Sequence, residues 1–152
     1  MIKKIIVLIG VLACLSVVGC SKINEVEGNN NNQIEENYVD IATLDKEYND
    51  IINFAEELAM MIEIAEAEGE LNIPRAIEIL EYAQQNRVKP TQELTIALDN
   101  QFDELIDLFI KYYFASESER PEIEARIMEV LEIMNNISLE IEKIIEDYNE
   151  II

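Results

Sequence analysis

From position 44 onward, apolar residues recur three and four apart, the spacing that gathers them on one side of a helix. Leu44, Tyr48, Ile51, Ala55, Leu58, Ile62 and Ala65 form the first stripe, and Gly69 follows as a C-terminal stop. Pro74, preceded by Asn72 and Ile73, suits the first turn of a second helix with Ile77, Leu80 and Ala83 on its face. Lys89-Pro90 interrupts the pattern, and spacing alone leaves open whether Pro90 breaks or kinks the middle segment. A third helix carries Leu94, Leu98, Leu105, Leu108 and Tyr112, flanked by Phe102 and Phe109. Ser116-Glu117-Ser118-Glu119 offers a capping box, with Pro121 in the next first turn. The last stripe is the most regular: Ile123, Ile127, Val130, Met134, Ile137, Ile141, Ile144, Tyr148 and Ile151. Leu131, Ile133 and Ile145 widen it beyond what a single neighbour covers, so a bundle is favoured over a two-stranded coiled coil. The fold expected for residues 43–152 is all-α, an antiparallel bundle of three long helices plus one shorter helix.

The segment before the bundle follows other rules. Lys3 and Lys4 precede an apolar run from Ile5 to Val18. As a helix that run measures about 21 Å, short of a hydrocarbon core of about 30 Å, so it suits a secretory signal peptide over residues 1–19 better than a membrane span. Its end, Val17-Val18-Gly19-Cys20, resembles the lipobox of bacterial lipoproteins, with Val18 a less usual residue at its place. The resemblance covers about the first 20 residues and no part of the helical region. It implies a diacylglyceryl thioether on Cys20 and cleavage between Gly19 and Cys20. Two acyl chains hold a protein at a membrane where one holds it only marginally. Residues 20–42 then read as a flexible tether, rich in Asn (Asn29–Asn32 are consecutive) and poor in apolar residues. With Cys14 removed and Cys20 acylated, the mature chain has no thiol left for a disulfide, so stability must come from packing.

Charge and composition narrow the chemistry. The chain has 152 residues, 32 acids, 11 Lys plus Arg, and no His or Trp, for a net charge of −21. Loss of Lys3 and Lys4 with the signal peptide leaves nine cations against 32 acids. Such charge argues against nucleic acid as a partner. The lack of His excludes Ser-His-Asp and Cys-His catalysis and imidazole metal sites. Glycines are too few for a phosphate-cradling loop. Two acidic groups are candidates for oxygen-ligated cations: Glu66, Glu68 and Glu70 around Gly69, and Asp99, Asp103 and Asp107 four apart along one helix. Neither has the spacing of a calcium loop, and a straight row does not wrap an ion. No cofactor, metal site or catalytic residue is expected. Like-charge crowding predicts stability that rises as pH falls from 7 toward about 5. Phe54, Phe102, Phe109, Tyr112, Tyr113 and Phe114 are read as core at helical spacing, whereas Met128 and Leu139 fall off the last stripe and would mark a contact surface if exposed.

The expected function is therefore non-enzymatic: a binding or scaffold module held at the cell envelope through Cys20, on the extracytoplasmic face of the membrane. In a host with two membranes, Ser21 after Cys20 resembles the outer-membrane sorting default. The expected partner is an envelope protein or a cationic peptide. The alternative is a protective or immunity lipoprotein that intercepts a cationic peptide or toxin, whose encounter an acidic surface would accelerate.

Overall fold

A computed structural model describes residues 39–152; Gly19, Cys20 and most of the stretches expected to be a signal peptide and a tether lie outside the described residues. Four helices follow in order: α1 (Ile41–Ala67), α2 (Ile73–Asn86), α3 (Glu93–Phe114) and α4 (Arg120–Ile151). Three are long, at 27, 22 and 32 residues, and α2 is short at 14. Successive helices run antiparallel. Gln84 and Arg87 of the α2 end meet Asp107 and Asp103 in descending order along α3, and Tyr112 near the α3 end meets Glu124 near the α4 start. The α3–α4 pair shares the most extensive interface, and α1 closes the bundle against all three others.

Each helix start satisfies its free backbone N–H groups differently. Asp40 caps α1, accepting from the Thr43 N–H at 3.3 Å and the Thr43 hydroxyl at 2.6 Å, so the helix starts at Ile41. Asn72 caps α2 through the Arg75 N–H at 3.0 Å, with Pro74 in the first turn. The α4 start uses half of the expected capping box. Glu119 accepts from the Ser116 N–H at 2.8 Å, but the Ser116 hydroxyl donates to the same carboxylate at 2.6 Å instead of accepting from a helix N–H. Gly69 ends α1 at φ +73, a left-handed conformation that favours glycine. The N–H groups of Gly69 and Glu70 bond back to the carbonyls of Glu66 and Ala65, which is a Schellman termination.

Pro90 breaks the middle segment: residues 87–92 form a non-helical connection between α2 and α3. Every residue of the first predicted stripe is buried. Two stripes shift. On α2 the buried face is Ala76, Ile79, Leu80 and Ala83, and Ile77 is half-buried. On α4 the buried face runs Ile127, Val130, Leu131, Met134, Ser138, Ile141 and Ile145, while Ile137 and Ile144 are half-buried and Tyr148 and Ile151 exposed. The cause is geometric. A 3-4 alternation averages 3.5 residues per turn and a straight helix has 3.6, so a strict stripe drifts about 20° per heptad and leaves the core. Ser138 and Ile145 rotate inward as their neighbours rotate out. Phe102, Phe109 and Tyr112 lie in the core, Phe54 and Tyr113 at its edge, and Phe114 is exposed. Met128 and Leu139 are exposed, at 62% and 55%.

Candidate functional site

Polar chemistry concentrates where α2 ends. Arg87, the first residue past α2, turns its side chain inward until only 2% of it remains exposed. Its Nε donates to Asp99 Oδ1 at 2.9 Å, its Nη1 to the Ala83 carbonyl at 3.1 Å, and its Nη2 to Asp103 Oδ1. The guanidinium carbon lies 4.8 Å from the centre of the Phe102 ring. Lys89 reaches in from the loop, 3.2 Å from both Asp99 Oδ2 and Asp103 Oδ2. Two cations and two carboxylates thus balance. At Asp103 burial acts to raise the carboxyl pKa, and the hydrogen bonds and charges of Arg87 and Lys89 outweigh it, holding the group below its ordinary value.

Two members of the predicted acidic row are therefore brought together, but as counter-ions of Arg87 and Lys89. The third, Asp107, accepts from Gln84 Nε2 at 2.6 Å. Glu66, Glu68 and Glu70 spread over the exposed α1 terminus. Among the described residues no group of three or more acidic side chains is placed to hold a metal ion, and no helix is long and apolar enough to cross a membrane.

A second polar device lies at the start of α3. Glu47 of α1 accepts from the Thr91 N–H at 2.8 Å and the Gln92 N–H at 3.0 Å, and from the Thr91 and Thr95 hydroxyls at 2.6 Å each. A carboxylate from another helix thus supplies the cap that Gln92 does not, at the end where a helix dipole favours negative charge. Burial acts to raise the Glu47 carboxyl, and the donated hydrogen bonds outweigh it, leaving the pKa lowered. Glu47→Ala is expected to cost about 0.5–2 kcal/mol, the range for a lost N-cap. Glu47→Gln retains one oxygen and costs less; urea titration of both variants measures the difference.

These contacts qualify the pH behaviour expected from charge alone. Residues 39–152 hold 28 acids against eight bases. Repulsion among them falls as pH drops from 7 toward about 5. Asp40, Glu47, Asp103 and Glu119, however, are all held below their ordinary values, the first and last chiefly by the hydroxyls of Thr43 and Ser116. Depressed carboxylates contribute stability that is complete above their unfolded pKa and lost as pH falls through the folded one. The thermal midpoint should rise from pH 7 to about 5 and fall below about 4. A continued rise to pH 3 would show that the four contacts contribute nothing, and a decline beginning at pH 7 that repulsion does not matter.

Beside the buried cluster, between α1 and the α2 end, lies an open groove of about 420 Å³. Asp50, Phe54 and Glu57 form its α1 wall, at spacings that put them on one helical face; Asn86 and Val88 form the opposite wall, over Arg87. Phe54 stacks on Tyr82 with ring centres 6.4 Å apart and planes at 16°. Val88 is 77% exposed. Arg87, Glu47 and this groove were not singled out by the sequence. The available signal for Arg87 was the acidic row itself, since Asp99 lies deep on a core-facing turn of α3 and needs a counter-ion. No protein-family model, curated protein or solved structure matches the chain.

Proposed function

We propose that this protein is a lipid-anchored, extracytoplasmic binding or scaffold module of the bacterial cell envelope, without catalytic activity of its own. The observation that carries this reading is Cys20, placed after two lysines, an apolar run too short to span a bilayer, and Val17-Val18-Gly19. A tether of about 20 residues has a root-mean-square reach of about 25 Å as a flexible coil, enough to hold the helical domain clear of the lipid. Anionic headgroups repel a domain this acidic, which favours partners over the bilayer as its target. The chemistry of the bundle supports binding over catalysis: Asp99, Asp103 and Glu47, which are drawn toward the interior, are engaged by Arg87, Lys89, Thr91 and Thr95.

The test is fractionation and cross-linking of cells carrying the wild type beside Cys20→Ala. The expected result is a wild type retained with membranes and labelled by a radioactive fatty acid, and an unlabelled Cys20→Ala protein released from them. The wild type should also cross-link to an envelope partner that the released variant captures poorly. An unlabelled wild type, or equal partitioning of the two forms, would overturn the anchor.

A further inference from the structure

The α1–α2 groove has the features of a recognition surface: Ile51, Phe54 and Arg87 tie its base to the fold, while Val88 and Glu57 at its rim are exposed. Phe54, stacked on Tyr82, lines the groove together with Val88, an aliphatic side chain left 77% exposed on a short loop. The charges around it do not cancel. Lys46 is taken by Asp50 at 2.8 Å, and Arg87 and Lys89 are matched by Asp99 and Asp103. Glu57 is left over, on a bundle whose described residues carry a net −20. We propose that this groove docks a cationic amphipathic peptide segment, which lays an aliphatic side chain against Phe54 and Val88 and sets a lysine or arginine head group beside Glu57.

The inference rests on the binding-module reading and specifies its partner. Charge selects the occupant. A second copy of this chain brings the same excess of acids and is repelled. An anionic ligand finds the Arg87 guanidinium already matched by two carboxylates. A basic segment gains long-range attraction from the whole domain, and the groove adds apolar contact and a cation-friendly ring face. Bulk charge accelerates the encounter; local contacts with Phe54, Val88 and Glu57 fix where it ends.

The experiment uses the full-length lipidated protein in non-ionic detergent and a synthetic 14-residue amphipathic helix of lysine and leucine. A control peptide has every leucine replaced by serine. Calorimetry is expected to show tighter binding of the lysine–leucine peptide than of the control. Val88→Ser should weaken it about tenfold, and Glu57→Lys by at least as much, as for residues central to an interface. Both positions are exposed, so both variants should fold. Glu132→Lys, the same charge change on an exposed site of α4, should alter affinity less than twofold. Equal weakening by Glu57→Lys and Glu132→Lys, equal binding of the two peptides, or no binding would overturn the proposal. If Val88→Ser and Glu57→Lys leave capture of an envelope partner from cells intact, the binding module stands and the groove is not its site.

Discussion

Replacing Arg87 with methionine is expected to lower the unfolding free energy by about 3–5 kcal/mol, the range for removing one partner of a buried ion pair. The reason is what remains. The Asp99 side chain, only 3% exposed, loses the Nε–H bond and keeps only the loop ammonium of Lys89 at 3.2 Å. The reverse truncation, Asp99→Ala, should cost less, because Arg87 retains Asp103 and the Ala83 carbonyl. Lys89→Ala should cost under about 1 kcal/mol, since the side chain is 64% exposed. The double variant Arg87→Met/Asp99→Leu should recover most of the loss, because an apolar pair of similar volume avoids desolvating two charges. Urea unfolding of the four variants measures these differences. An Arg87→Met loss within about 1 kcal/mol would mean that Lys89 and water suffice, and that the cluster is loosely held.

The second large effect is expected at Phe102, which is 1% exposed and lies under the Arg87 guanidinium. Phe102→Ala should cost about 3–5 kcal/mol through lost burial and the cavity left behind. Phe102→Leu retains most of the volume and should cost about 1–2 kcal/mol. The informative quantity is the coupling between Phe102→Leu and Arg87→Met. A ring face that stabilises the desolvated cation predicts that the two losses fall short of additivity by about 1–2 kcal/mol. Strict additivity would show that the ring acts only as volume. Arg87→Met should also weaken occupancy of the neighbouring groove, because Arg87 lines it.

The helices were legible because burial on one face is a repeating constraint that each turn restates. Leu44 through Ala65 shows it: seven positions, all buried. Legibility failed where the constraint was one of exact period or of pairing across the fold. On α4 a 3.5-residue pattern and a 3.6-residue helix agree at Ile127 through Met134 and part by Ile144, where Ile145 takes the core position. On α2 a 14-residue helix offers too few turns to choose between Ile77 and Ile79. Pro90 was ambiguous because proline ends a helix or bends it depending on its neighbours; here the inward turn of Arg87 to reach Asp99 settles the matter. The acidic row was visible, but its role depended on cations brought by the connection that follows α2. Glu47 capping α3 was invisible for the same reason, since its partners lie 44 to 48 residues away. The groove arises from the space between two elements, which no single stripe encodes.

The way α1 closes the bundle also sets the order in which the molecule comes apart. The α3–α4 hairpin joins neighbours in sequence through the largest interface, whereas α1 is held by contacts such as Tyr48 to Glu142, 94 residues apart. Closing contacts distant in sequence costs more chain entropy than pairing neighbours, and each α1 interface is smaller than that of α3 with α4, so α1 is expected to open before that hairpin. Amide hydrogen exchange should therefore be slowest in α3 and the first half of α4 and faster in α1 and α2. A segment seated between α1 and α2 would clamp the least protected seam, so occupancy would be read first as slowed exchange in α1.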